Sequence, residues 1–100
     1  MTVSDALRLS EALRARGLRV ACAESCTGGL VASNITDIAG SSDYFTLGVV
    51  TYSEEQKQKV LGISLKTLAE HSAVSKETCA EMLVGIKRLS DADLCIATTG

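Results

Sequence analysis

The residue best placed for chemistry in this sequence is Ser25, which lies in a polar turn between an apolar segment and a helical pattern. A helix N-terminus presents free backbone N–H groups and the positive end of the helix dipole, so such a turn can hold a phosphate or an oxyanion. Ser25 is therefore a helix cap, a ligand-binding group, or a nucleophile whose developing charge the N–H groups stabilise. Thr27, Gly28 and Gly29 follow it and allow a ligand to approach closely, so they are candidate substrate-binding residues.

A serine hydroxyl is a weak nucleophile and needs a base to take its proton. A lysine can serve if desolvation or a neighbouring positive charge lowers its pKa toward neutrality. Tyr52 ends an apolar segment and Lys57 follows near the start of the next helical pattern, so both can lean over one edge of a sheet. The alternative is that Lys57 is an ordinary lysine on a solvated, charged helix face.

Two other residues compete for a role in such a site. Cys26 is the rival nucleophile, because a helix N-terminus lowers the pKa of a thiol. Adjacent residues in a turn point in different directions, so Ser25 and Cys26 cannot both aim at one substrate atom. His71 is the single histidine, and it lies in a helix-ending stretch where a C-terminal cap or a solvated side chain is the simpler interpretation.

The elements that must position these residues alternate between strand and helix patterns. The apolar segments 18–23, 45–52 and 93–98 predict strands, and the helical patterns cover about 5–16, 30–40, 53–62, 65–71 and 76–89. The expected N-caps are Ser4, Ser53, Ser64 and Ser75, and Gly17 is expected to end the first helix. Strands separated by helices predict an α/β fold, a three-layer α/β/α sandwich with a largely parallel or mixed sheet.

One glycine falls inside the second predicted strand. Gly48 interrupts an otherwise β-forming run, so it marks either a bulge or a place where another group approaches the backbone closely. We therefore include Gly48 among the candidate substrate-binding residues.

The composition describes one small domain, residues 1–100, of an ordinary globular kind. A net charge of −2 and only three aromatic residues argue against a nucleic-acid partner, which needs a basic surface or a stacking platform. The sequence has no apolar run long enough for a membrane span and no signal peptide, so we expect a cytoplasmic protein without a membrane partner. The four cysteines lie in apolar periodic segments and form no CxxC pair, which predicts reduced thiols and no metal site.

Five segments in chain order carry a resemblance to a known family. They are Ala23-Glu24-Ser25-Cys26-Thr27-Gly28-Gly29, Ile35-Thr36-Asp37-Ile38 with Gly40-Ser41-Ser42, Gly48-Val49-Val50-Thr51-Tyr52-Ser53 with Lys57, Ala73-Val74-Ser75, and Ala97-Thr98-Thr99-Gly100. From about residue 4 to residue 100 the chain resembles the CinA C-terminal domain family, the nicotinamide-nucleotide amidohydrolases or NMN deamidases.

The resemblance implies a bacterial enzyme without cofactor or metal that hydrolyses the carboxamide of nicotinamide mononucleotide (NMN) to nicotinic acid mononucleotide and ammonia. Ser25 matches the family's nucleophile, Tyr52 and Lys57 match its two activating residues, and Thr99 matches a further active-site residue. In the implied scheme Lys57, unprotonated or sharing a proton with Tyr52, takes the proton of Ser25, and N–H groups of the turn hold the oxyanion.

The resemblance also implies a longer domain, with a loop, further strands and a helix after Thr99. We therefore expect the C-terminal strands of the sheet to be missing, and a pocket too incomplete for full turnover by this chain alone. An incomplete aliphatic core also predicts a homo-oligomer. The alternative functions are a non-catalytic module that binds a nucleotide phosphate at the turn or forms oligomers, and a thiol-dependent enzyme that uses Cys26.

Overall fold

The computed structural model describes residues 1–100, which form five α-helices, one short 3-10 turn and three β-strands. In chain order the elements are α1 (Val3–Arg16), β1 (Val20–Glu24), α2 (Leu30–Thr36), the 3-10 turn (Ser41–Asp43), β2 (Phe45–Val50), α3 (Glu54–Leu61), α4 (Leu65–His71), α5 (Lys76–Ser90) and β3 (Leu94–Ala97). No helix combines the length and the apolar character that crossing a bilayer requires. All four cysteines are free.

The three strands form one parallel sheet in the order β2-β1-β3. Cys22 at the centre of β1 lies opposite Gly48 of β2 and Ile96 of β3. Every residue of the central strand is buried, which explains why its sequence is a short apolar run rather than an alternating one. Of the two predicted arrangements, parallel and mixed, the parallel one is confirmed.

Helices cover both faces of this sheet, and each face has its own core. On one face α1 and α2 pack over a cluster of buried side chains formed by Leu13, Val20, Ile35 and Tyr44. On the other face α5, supported by α3 and α4, packs over a second cluster formed by Ala21, Ala23, Leu61, Ile63, Leu68, Met82, Ile86 and Ala92. The predicted three-layer α/β/α fold is confirmed.

The strand order has a topological switch point between β1 and β3, because the chain passes from β1 to β2 on one side and then crosses back past β1 to reach β3. The connection from β1 to β2 runs through α2 on one face, whereas the connection from β2 to β3 runs through α3, α4 and α5 on the other. Open α/β sheets bind ligands in the crevice at the carboxyl ends of the strands beside such a switch point. Topology therefore directs attention to the residues that follow β1 and β3.

The helix ends follow the predicted capping residues with two corrections, and the first is that Ser25 does not cap α2, whose N-cap is Gly29. Ser4 is not the cap of α1, because Thr2 takes that role: its hydroxyl accepts the N–H of Asp5, whose carboxylate accepts the N–H of Thr2. Gly17 ends α1 with φ 64, as predicted. The three other predicted caps each accept the N–H three residues further on, and they are Ser53, Ser64 and Ser75.

The contact between α3 and α5 depends on a glycine. Gly85 of α5 lies against the backbone of Leu61 at the end of α3, and a Cβ atom there would overlap the Leu61 carbonyl. Small residues let two helices approach closely, so Gly85 fixes how deeply α3 settles against the rest of the domain. Since α3 also carries Lys57, this packing sets the position of that lysine.

Candidate active site

Ser25 lies immediately after β1, at the carboxyl end of the central strand, and it is buried. Hydrogen bonds from both neighbouring strands continue to its edges: the N–H of Thr51 donates to the Glu24 carbonyl at 2.9 Å, and the N–H of Thr98 donates to the Ala23 carbonyl at 3.0 Å. Both flanks of the Ser25 turn are therefore fixed by the rigid part of the sheet, as a reactive group requires.

The side chain of Lys57 reaches Ser25 from the adjacent helix. Its Nζ atom donates to Ser25 Oγ at 2.9 Å, to the Thr51 carbonyl at 2.7 Å and to the Tyr52 carbonyl at 3.2 Å. Lys57 is only 1% exposed, and none of the ion pairs of the structure includes it. A buried lysine without a carboxylate partner is unusual, because burial disfavours its charged form.

Burial lowers the pKa of Lys57 from its ordinary value of 10.5, and the opposing effects of Glu54 and Cys26 are smaller. The local sequence explains the burial: Ser53 begins the helix, Gly62 ends it with φ 73, and within these two turns Lys57 and Leu61 share the face that packs inward. The alternative of a solvated lysine on a charged helix face is therefore wrong for Lys57, although it describes Lys59, which pairs with Glu55 in solvent.

Glu24 is a buried carboxylate directly beside Ser25. Its two oxygens accept the N–H groups of Val31 at 2.9 Å and Ala32 at 3.0 Å, and Oε1 also accepts the Thr27 hydroxyl at 2.6 Å. Burial raises the pKa of Glu24, but hydrogen bonds from Thr27 and from the start of α2 outweigh it, so the pKa lies below its usual value. Glu24 is thus an anion that the protein itself places at this helix start.

The sequence suggested that the N-terminus of α2 could hold a phosphate. The structure shows that the carboxylate of Glu24 occupies this helix end instead. The N–H groups of Cys26 and Thr27 donate no hydrogen bond within the protein, whereas the N–H of Gly29 faces the Glu24 carboxylate. The first two are the groups left for an oxyanion beside Ser25.

The predicted substrate-binding residues of the turn contribute mainly to its shape. Thr27 turns its hydroxyl inward, where it contacts Glu24 and, at 2.8 Å, Thr98 Oγ1. Gly28 and Gly29 adopt left-handed backbone conformations, with φ 61 and 105, that other residues reach only with strain. The chain can therefore leave β1, pass Ser25 and enter α2 within a few residues.

Gly48 lies beneath α2 and away from Ser25. A Cβ atom at this position would come within 3.0 Å of the Phe45 ring, 3.2 Å of the Ala32 methyl and 3.3 Å of Cys22 Sγ. The close approach that the sequence predicted is therefore made by the protein's own side chains, and Gly48 lets α2 pack on the sheet. The bulge of β2 lies at Thr46, where the pairing shifts between Val20 and Ala21.

Tyr52 and Thr99 do not reach Ser25 with their side chains. The Tyr52 ring points outward and is 72% exposed, because the preceding residue, Thr51, is buried and successive side chains alternate. Tyr52 contributes its backbone carbonyl to Lys57 and no hydroxyl, so the geometry does not support proton sharing between the two. The Thr99 hydroxyl donates to the Ala73 carbonyl at 2.6 Å, and its neighbour Thr98 is the one that contacts the Ser25 backbone.

The two competing residues of the sequence lie differently. Cys26 is exposed, next to Gly100, and forms no hydrogen bond with a base. His71 ends α4, where its ring nitrogens lie 3.9 Å from a Glu70 oxygen and 3.7 Å from a Glu77 oxygen, and it has no contact with Ser25. No group of three or more His, Cys, Asp or Glu side chains is arranged to hold a metal ion.

Three contributors to the site were not singled out from the sequence. The sequence could have indicated Glu24, because a charged residue at the end of an apolar, fully buried strand needs hydrogen-bond partners inside the protein. Thr98 ended a predicted strand, and only the sheet order places it beside Ser25. Thr51 acts through its carbonyl, for which the side-chain pattern holds no signal.

Comparison with known proteins places this geometry in a family. The family model described as "CinA C-terminal domain" matches residues 4–100. The chain is 49% identical to nicotinamide-nucleotide amidohydrolase PncC of Escherichia coli K12, of which it covers 63%, and 53% identical to a CinA-like protein of Chloroherpeton thalassium, of which it covers 22%. The chain thus spans less than two thirds of the length of these relatives.

Solved structures are similar over nearly the whole chain. A competence damage-inducible protein A (ComA) from Klebsiella pneumoniae superposes with a TM-score of 0.96 at 43% identity, over 98% of this chain and 61% of that one. The competence/damage inducible protein CihA from Agrobacterium tumefaciens gives 0.95 at 41% identity, over 98% and 59%. The chain belongs to the CinA C-terminal domain family.

Proposed function

We propose that this chain carries the catalytic Ser/Lys pair of an amidohydrolase that converts the carboxamide of NMN to the carboxylate. The observation that carries the proposal is the 2.9 Å contact between Lys57 Nζ and Ser25 Oγ, with Lys57 buried, unpaired and lowered in pKa. A lysine activates a serine only in its neutral form, and burial without a counter-ion favours that form.

The acceptors around Lys57 fit this role. A neutral amine has two N–H bonds and one lone pair, and two of its three contacts are backbone carbonyls, which can only accept. The lone pair is then left for the third contact, Ser25 Oγ, whose hydroxyl becomes the donor once Lys57 has lost its proton. The carbonyls of Thr51 and Tyr52 thereby aim the base at the nucleophile.

The proposed reaction then proceeds in two halves. Ser25 Oγ bonds to the carboxamide carbon while its proton passes to Lys57, and the N–H groups of Cys26 and Thr27 stabilise the oxyanion. The tetrahedral intermediate collapses, the C–N bond breaks, and the proton held by Lys57 leaves with ammonia. Water then attacks the acyl-serine with Lys57 again as base, which releases the acid and restores Ser25.

The choice of NMN as substrate rests on relatives and not on a pocket. PncC of E. coli K12 and PncC of Enterobacter agglomerans, 49% and 47% identical to this chain, are named nicotinamide-nucleotide amidohydrolases. We extend that substrate to this chain because the Ser25 turn and Lys57 lie inside the matched region. A cytoplasmic location and a homo-oligomer remain proposals of the same kind.

The nucleotide-binding alternative is weakened, because Glu24 occupies the N–H groups of Val31 and Ala32 and leaves a phosphate only those of Cys26 and Thr27. The thiol alternative lacks a base in contact with Cys26. A single assay distinguishes both alternatives from the Ser/Lys reaction.

The test is to incubate the chain with NMN, measure ammonia release and locate any acyl adduct by peptide mass spectrometry. We expect ammonia release that Ser25→Ala and Lys57→Met abolish and Cys26→Ser retains, with the adduct on Ser25. An adduct on Cys26, or ammonia release that persists in Ser25→Ala, would contradict the proposal, and binding of NMN with neither ammonia release nor an acyl adduct on Ser25 would favour the non-catalytic module.

A further inference from the structure

Three side chains beneath the Ser25 turn have no part in the reaction just described, yet they are linked to one another and to its backbone. We propose that Glu24, Thr27 and Thr98 form a directional chain of hydrogen bonds, here called the hydroxyl relay, that positions the nucleophilic serine. The inference rests on the proposed function of Ser25. The side chains of the relay have a positioning role, because they touch the turn and not the reacting atoms; Thr27 meets the oxyanion only through its backbone N–H.

The direction of every bond in the relay follows from its buried end. An ionised carboxylate only accepts, so the Thr27 hydroxyl must donate its single hydrogen to Glu24 Oε1, at 2.6 Å. Thr27 Oγ1 can then only accept in its second contact, so the Thr98 hydroxyl donates to it, at 2.8 Å. Thr98 Oγ1 is left as an acceptor, and it receives the backbone N–H of Ser25, at 3.4 Å.

The surroundings of Glu24 keep this polarity from reversing. Its carboxylate is 1% exposed and accepts two N–H groups of α2, which stabilise the anion. Burial raises the pKa of the Cys22 thiol to about 12, so its Sγ, 3.8 Å from Glu24 Oε2, stays protonated and is a further donor. All the groups that face the carboxylate are therefore donors, and a neutral acid would leave them without a full set of acceptors.

The relay decides which N–H groups of the turn are available. It engages the N–H of Ser25 and leaves those of Cys26 and Thr27 without a partner in the protein. It also joins three elements at the topological switch point of the sheet: the end of β1, the start of α2 and the end of β3. Ser25 is thereby held on one side by the relay and on the other by Lys57.

The test uses isosteric substitutions at Thr98 in the full chain. Thr98→Val removes the hydroxyl without changing the volume, whereas Thr98→Ser keeps the hydroxyl. Thr36→Val is the matched control, because Thr36 is exposed on α2 and its hydroxyl bonds only within that helix. The probe is a fluorophosphonate, which labels activated serines, and labelling of Ser25 is followed by mass spectrometry.

We expect Thr98→Val to slow the labelling of Ser25 by about tenfold or more, because small displacements of a nucleophile cost large factors in rate. Thr98→Ser should restore the rate and Thr36→Val should not change it, with the midpoint of thermal unfolding recorded for each variant. In the same samples, amide exchange measured by NMR should accelerate at the Ser25 N–H in Thr98→Val and stay unchanged at Cys26.

Wild-type labelling speed in Thr98→Val, or a Ser25 amide that exchanges equally fast in both proteins, overturns the relay. A wild-type chain whose Ser25 is not labelled at all refutes the proposed function and with it the positioning role. The two failures are distinguishable, because the first leaves an active serine and the second does not.

Discussion

The two ends of the parallel sheet both carry charged side chains, but they hold them in opposite ways. At the carboxyl end, Lys57 and Glu24 are each 1% exposed, and both have shifted pKa values. At the amino end, a cavity of about 340 Å³ is lined by Arg14, Arg19 and Asp43, and there Arg14 and Asp43 form a 2.9 Å ion pair whose side chains are 42% and 67% exposed. Solvent screens the second set and not the first.

The difference in solvent exposure separates charged side chains that hold loops in place from charged side chains in the candidate active site. Arg14 donates to the Gly40 carbonyl at 2.8 Å and lies 5.4 Å above the Tyr44 ring, so it ties α1 to the 3-10 turn. Lys57, by contrast, is buried away from solvent and forms no ion pair with a carboxylate. Burying such a group costs stability, and a protein retains it where the altered proton affinity is useful.

The largest effect should come from removing the buried amine. We expect Lys57→Met to lower Ser25-dependent ammonia release by roughly a thousandfold or more, because the nucleophile loses its base. Lys59→Met is the matched control, since Lys59 lies on the same helix in an exposed pair with Glu55. Equal losses in both variants would show that charge on α3, and not the buried contact, supports the reaction.

The next largest effect should come from a substitution outside the active site that displaces α3 at the carboxyl end of the sheet. Gly85→Ala places a methyl group against the Leu61 backbone, so we expect it to destabilise the fold by about 2–3 kcal/mol and to displace α3 with Lys57. Gly17→Ala at the amino end meets no neighbouring atom, and its φ of 64 costs about 1–2 kcal/mol. Denaturant unfolding and fluorophosphonate labelling of both variants check this, and unimpaired labelling in Gly85→Ala would separate α3 packing from the site.

The pH dependence of stability should distinguish Lys57 from an ordinary surface charge. Because its pKa is lowered in the folded state, the unfolded chain binds more protons between the folded pKa and 10.5. The free energy of unfolding of the wild type should therefore rise relative to Lys57→Met as pH increases through that window, by about 1.4 kcal/mol for each unit of lowering. Denaturant unfolding at several pH values measures it, and a constant difference would mean that the pKa of Lys57 is unshifted.

The smallest effect should come from the amino end. We expect Arg14→Met to destabilise the domain by about 0.2–1 kcal/mol, the range of an exposed ion pair, and to leave the labelling of Ser25 unchanged. The loss should shrink in high salt. A loss that persists in high salt and slows Ser25 labelling would mean that the two ends of the sheet are coupled.

Local patterns were enough to predict most of the elements and the neighbourhood of Ser25. Ser53, Ser64 and Ser75 cap helices as expected, because capping depends on residues only three positions apart. The α/β fold followed from the alternation of strand and helix patterns. The pairing of Ser25 with Lys57 was implied by the family resemblance, whereas the residue pattern alone placed Lys57 near one edge of the sheet and left a solvated lysine open.

What the sequence missed depends on long-range register. The contact of Thr98 with the Ser25 backbone joins residues 73 positions apart, and it exists only because β3 pairs with β1. The outward direction of Tyr52 depends on a single step of strand alternation, and a shift by one residue would have turned its ring inward. Glu24 was overlooked because its partners are backbone N–H groups, which no side-chain motif reveals.

The most direct test of the central claim, that a neutral Lys57 activates Ser25, is an NMR titration of the Lys57 side chain together with the pH dependence of Ser25 labelling. The proposed mechanism predicts that Lys57 titrates with a midpoint below pH 10.5 and that the rate of Ser25 labelling rises with pH over the same range. In Lys57→Met the labelling rate should not show this rise. A Lys57 midpoint at or above 10.5, or labelling that rises identically in Lys57→Met, would contradict it.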